Sequence, residues 1–150
     1  MDKESLLESK IYEILEIVLK KIKGKSFIWR LEGSFNLLVQ GLKVSVRDID
    51  ITTNLEGISI FREALKDYLK KDFYNEKTQA KSLVCDINKA ELEINSYNDK
   101  KLNFFDKIIN ISWKDLNLPI LPLEEAKIFY SLINKKEKVE IIDKYLRNHS

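Results

Sequence analysis

Leu6, Leu7, Ile11, Ile14, Leu15, Val18, Leu19 and Ile22 recur at the 3.6-residue period of a helix with one apolar face, and Gly24 stands where that helix would stop. Ser26 to Glu32 is rich in aromatic and β-branched residues, which predicts a strand; Gly33-Ser34 reads as a tight turn, and Phe35 to Gln40 as a short helix closed by Gly41. Val44 to Thr53 alternates and predicts a second strand, followed by a turn over Asn54 to Gly57 and a helix over Ile58 to Lys71. Ser82 to Ile87 and Glu91 to Tyr97 predict an antiparallel hairpin turning at Asn88-Lys89, and Ile108 to Trp113 a further short strand. Beyond Pro119 and Pro122, Leu123 to Ile133 and Lys138 to Arg147 have helical spacing, with a break at Asn134-Lys135-Lys136 that predicts a helical hairpin. Helices alternating with strands predict an α/β (α+β) fold in which helices flank a mixed sheet. With no repeat and no Gly/Ser/Pro-rich linker, residues 1–150 read as a single domain.

Composition narrows the function classes. A chain 44% hydrophobic and 33% charged is too apolar for disorder. Its 26 Lys plus Arg against 24 Asp plus Glu, net +2, lack the basic excess of a dedicated nucleic-acid coat, so a nucleic-acid partner is not favoured. Cys85 has no internal disulfide partner, and with a single histidine, His149, it makes no zinc set; a reducing cytoplasm is the expected setting. Met1 to Lys10 has no apolar block, and no stretch reaches the ~18 uncharged residues of a membrane span, so neither secretion nor membrane insertion is expected.

Chemistry concentrates in Trp29-Arg30-Leu31-Glu32-Gly33-Ser34 and, after thirteen intervening residues, Asp48-Ile49-Asp50-Ile51. Alternation along a strand turns Asp48 and Asp50 to one face, ~6.5 Å apart. Two like charges so placed favour a neutralising cation, and hard oxygen ligands favour Mg²⁺ or Mn²⁺. Gly33-Ser34, between strand and helix, offers close backbone approach and free N–H groups to a phosphate. Phosphates beside a divalent ion suit metal-assisted phosphoryl or nucleotidyl transfer.

These residues resemble the signature of the polymerase-β-type nucleotidyltransferases: a hydrophobic strand, Gly-Ser or Gly-Gly, a helix, then Asp, hydrophobic, Asp, hydrophobic. Trp29 to Asn54 is similar to small stand-alone nucleotidyltransferase-domain proteins, and Pro119-Ile120-Leu121-Pro122-Leu123-Glu124-Glu125, with Tyr130 and Lys138, resembles their C-terminal helices. The resemblance implies the nucleotidyltransferase fold and a third carboxylate on a neighbouring strand. Glu93 is preferred for it, with Glu91 the alternative. It further implies that Gly33 and Ser34 hold the β/γ-phosphates while Asp48, Asp50 and Glu93 hold Mg²⁺ or Mn²⁺ around the α-phosphate. An NMP would then pass from an NTP, ATP foremost, to an unidentified acceptor hydroxyl, releasing pyrophosphate. A homodimer or a partner protein would complete so short a chain.

Each feature has a plainer rival. Alternating acids also mark half-exposed strands, Gly33-Ser34 also makes ordinary turns, and Glu91 and Glu93 also suit the solvated face of an edge strand. Lys138 reads first as a surface lysine and second as a triphosphate ligand. Trp29, Trp113, Tyr130 and Cys85 read as core and His149 as a frayed end. The competing function is a non-catalytic interaction module on the same scaffold, such as a toxin–antitoxin component.

Overall fold

The computed structural model describes residues 4–149; part of the charged Met1–Lys10 segment lies outside them. Helix α1 (Glu8–Lys21) buries Ile11, Ile14, Leu15 and Val18 of the predicted stripe, while Leu6 and Leu7 precede the helix and Leu7 is exposed. Strand β1 (Trp29–Glu32) runs directly into helix α2 (Gly33–Val39), and β2 (Ile49–Thr53) follows an irregular segment. The second strand is therefore shorter than the alternation over 44–53 predicts, and Asp48, expected on one strand face with Asp50, lies in the bend before it. Residues before Ile49 are tied differently: the Leu6 amide donates to the Val46 carbonyl at 2.7 Å.

The helix expected over Ile58 to Lys71 is displaced. Helix α3 spans Leu55–Ala64, because Asn54 caps it by accepting from the Gly57 amide at 2.8 Å. After one 3-10 turn the chain becomes strand β3 (Leu69–Asn75). As an outer strand with little apolar alternation, β3 leaves no period-2 signal in the sequence, and its pairing with β4 (Ala80–Ile87) makes it a strand. Strand β5 (Ala90–Tyr97) completes the expected hairpin. Strand β6 (Ile109–Trp113) pairs with β7 (Leu116–Ile120), which sequence reading passed over because of Pro119; a two-stranded ribbon leaves an open side where proline's missing N–H costs nothing. Helices α4 (Leu123–Leu132) and α5 (Lys136–Asn148) form the expected C-terminal hairpin.

The main sheet has the order β1-β2-β5-β4-β3, with β2 and β5 parallel and the other neighbours antiparallel. One face, through Leu31, Ile49, Ile51, Leu83, Leu92 and Ile94, packs on α1 and α3. The other is polar. It carries Arg30, whose buried guanidinium donates to the carbonyls of Leu31, Leu102 and Asn103 and stacks over Phe129 of α4. Among the described residues no helix is long and apolar enough to cross a membrane.

Candidate active site

Sheet register brings the acids together on this polar face. Glu32 is opposite Asp50 in the β1–β2 ladder, and Glu93 is opposite Asp50 in the β2–β5 ladder, so the three stand in a row across adjacent strands. Asp48 hydrogen-bonds to the Asp50 carboxyl group. Glu91 sits one register pair nearer the β4–β5 turn, beside Glu93 on the same face. Glu32 was not singled out from the sequence, although it lies within the motif; only the pairing of β1 with β2 reveals its place.

Crowding and burial alter the protonation of this row. Burial pushes Asp50 well above the ordinary carboxylate range, and the charges of Glu32, Asp48 and Glu93 push it further. Burial also raises Glu93, with a hydrogen bond to Asn95 opposing and Glu32, Glu91 and Asp48 adding to the rise. Glu32 is raised by burial against the pull of Arg30 and of hydrogen bonds from Thr52 and Tyr97. The Tyr97 hydroxyl donates to both Glu32 carboxylate oxygens, at 2.9 and 3.0 Å. Such a row favours a bound proton or a cation.

Gly33 meets this row at close range. A Cβ there would lie 2.6 Å from Asp50 Oδ2, so the missing side chain makes room for the aspartate carboxyl. Ser34 is the first polar side chain of α2, and Lys138 Nζ of α5 donates to its Oγ at 2.7 Å. Lys138 is half-buried rather than a solvated surface lysine; burial lowers its pKa while Asp50 and Asp48 oppose the shift. Both residues line a cleft of about 450 Å³ with Lys43, Ser45, Arg47 and Asp48. The Tyr130 hydroxyl is buried in the fields of Glu32 and Asp50, beside the Gly33 backbone, and among the described residues it has no hydrogen-bond partner of good geometry. Trp29 and Trp113 pack at the edge of the core, and Cys85 is buried, with its thiol pushed up to about 11 by burial. His149 ends α5 and stacks on Tyr145.

Among the described residues no three His, Cys, Asp or Glu side chains converge as a metal-binding group. Asp48, Asp50 and Glu93 nevertheless present the donor chemistry of a hard divalent ion.

No family model and no curated protein matches the chain. Solved structures do. The chain is similar to a protein from Thermotoga maritima assigned as a candidate nucleotidyltransferase, at 21% identity and TM-score 0.76, over 97% of this chain and 98% of that one. It is similar to the lincomycin-bound lincosamide antibiotic adenylyltransferase LnuA at 16% identity and TM-score 0.61, over 93% of this chain and 98% of that one. It also resembles ANT(2")-Ia in complex with adenylyl-2"-tobramycin, at 8% identity and TM-score 0.59, over 89% and 88% of the two chains. At these identities the likeness establishes the fold: a mixed sheet flanked by helices, arranged as in the nucleotidyltransferases.

Proposed function

We propose that this chain, which has the nucleotidyltransferase fold, transfers an NMP from an NTP, ATP foremost, to an acceptor hydroxyl in the reducing cytoplasm. The observation that carries the reading is the register of Glu32, Asp50 and Glu93, with Asp48 hydrogen-bonded to Asp50, beside a cleft lined by Ser34 and Lys138. Asp48, Asp50 and Glu93 would hold Mg²⁺ or Mn²⁺. Bound there, the ion would neutralise phosphate charge during in-line displacement.

The chain's own groups do the rest. Lys138, Arg47 and Lys43 attract the β- and γ-phosphates, Ser34 positions them, and Gly33 keeps Asp50 against the start of α2. Glu93, with its raised pKa, suits it to accept the hydroxyl proton. Adenylyltransferase activity in LnuA and the adenylylated tobramycin held by ANT(2")-Ia support NMP transfer on this scaffold.

The absence of a converged three-ligand group among the described residues favours the second reading, a non-catalytic interaction module. Thermal shift with ATP, CTP and GTP, with and without Mg²⁺ or Mn²⁺, separates the two. Transfer predicts a metal-dependent rise in Tm with at least one nucleotide, and label passing from that α-labelled NTP to a component of cell extract. No shift under any combination would leave the interaction module.

A further inference from the structure

A cleft of about 780 Å³ runs along β3, β4 and the β4–β5 turn and reaches Glu91 and Glu93. Its size suits a ligand of sugar-phosphate dimensions. Arg47 lines both this groove and the Ser34–Lys138 cleft, so the two adjoin where the NMP would change hands.

A β-bulge shapes the outer wall. The β3–β4 register shifts between Leu69 and Lys71, and a bulge sets two consecutive residues on a side that alternation would divide between them. Lys70 and Lys71 both line the groove, and Phe73 and Asn75 continue it along the strand. Lys89 contributes from the turn. Among the described residues none of Arg47, Lys70, Lys71 or Lys89 forms an ion pair. Asp72, between Lys71 and Phe73, is taken instead by Arg62 and Lys81. Of the groove's acids, Asp86 accepts from the Lys89 backbone amide at 2.9 Å, and Glu93 belongs to the carboxylate row. Glu91 and Glu4 complete the acids of the lining, so four acids and four cations share the groove; Asp86 stands on β4 and Glu91 and Glu93 on β5, whereas the lysine pair stands on the outer strand β3.

We propose that this groove seats the acceptor, and that the bulged Lys70-Lys71 pair, with Arg47 and Lys89, selects a small alcohol carrying a phosphate group. The inference rests on the transfer reading above. In that step the acceptor oxygen forms a bond to the NTP α-phosphorus, the bond from that phosphorus to the β-phosphate oxygen breaks, pyrophosphate leaves, and the hydroxyl proton passes to Glu93. A polycationic acceptor such as tobramycin would meet the Lys70-Lys71 pair along the outer wall. A long nucleic acid would find no continuous basic track on a chain of net charge +2.

Calorimetric titration of the full chain with matched pairs tests this: glycerol 3-phosphate and glycerol, ribose 5-phosphate and ribose, glucose 6-phosphate and glucose. At least one phosphate should bind about tenfold or more tighter than its parent alcohol, with an advantage that shrinks as salt rises. Lys70→Ala/Lys71→Ala, at exposed positions, should keep the fold by circular dichroism, keep ATP affinity and lose that advantage. No preference for any phosphate, an undiminished preference in the double variant, or tighter binding of tobramycin would overturn the proposal. So would an oligoribonucleotide binding about a hundredfold tighter than its mononucleotide with a steep salt slope. If ATP binds with Mg²⁺ while the phosphates are not distinguished, only the groove assignment fails. If ATP does not bind while Lys70 and Lys71 still select phosphates, the transfer reading and the acceptor role fall together.

Discussion

Gly33 and Asp50 touch across the β1–β2 ladder: a Cβ on Gly33 would lie 2.6 Å from Asp50 Oδ2, and Gly33 holds φ at +75°. Two costs therefore coincide in Gly33→Ala, left-handed backbone strain and a collision with a carboxyl group held by its neighbours. The variant should lose about 1–3 kcal/mol in chemical denaturation. It should also shift Asp50 and lose Mg²⁺-dependent ATP binding. A folded Gly33→Ala protein with wild-type ATP affinity would show that the contact does not position the aspartate.

The raised carboxyls make stability fall as pH rises. A carboxyl with a higher pKa in the folded state binds its proton more tightly there, so its contribution is complete below the unfolded pKa, about 4, and is lost as pH climbs through the raised value. Asp50, Glu93 and Glu32 all act in this direction. Asp72, held at about 2 by Arg62 and Lys81, changes stability only at more acidic pH. The metal-free Tm should therefore decline between about pH 5 and 7.5, and added Mg²⁺ should reduce the decline. Asp50→Asn should flatten the profile, raise Tm at pH 7.5 and abolish the Mg²⁺ response. Identical slopes in the two proteins would remove Asp50 from this account.

Lys138 reaches across 104 residues of sequence to Ser34. Lys138→Met keeps much of the stem and removes the charge, so ATP affinity should weaken about tenfold or more while the fold persists. Ser34→Ala removes a neutral partner and should cost less. Both are read by ATP titration, and a larger loss from Ser34→Ala would contradict a lysine-centred phosphate site.

Glu93→Gln keeps shape and removes charge beside Asp50, so transfer should drop ~10²-fold or more, with a smaller loss in nucleotide binding. Glu91→Gln, one register pair nearer the turn, should cost less. Initial rates of label transfer compare them. The reverse order would move the third carboxylate to Glu91, and equal, negligible effects would end the three-carboxylate mechanism.

Local pattern was enough to read α1, the β4–β5 hairpin, the two C-terminal helices and the Gly33-Ser34 and Asp48-Asp50 pairs. For the helices and the hairpin, spacing along the chain dictates which side chains share a face, whereas Asp48 lies before β2 and does not share the strand alternation of Asp50. Pattern also indicated a mixed sheet flanked by helices, because amphipathic helices interspersed with short strands have few other ways to bury their apolar sides. Where partners are distant, it failed. Strand β3 exists through its ladder to β4, Glu32 joins the site through register with Asp50, and Lys138 becomes half-buried because α5 brings it to Ser34 of α2. Lys70 and Lys71 line one groove through a bulge that exists only in paired strands. Local sequence encodes periodicity and turn chemistry; register, close approach and mutual charge arise between residues far apart in the chain, and tertiary packing alone decided them.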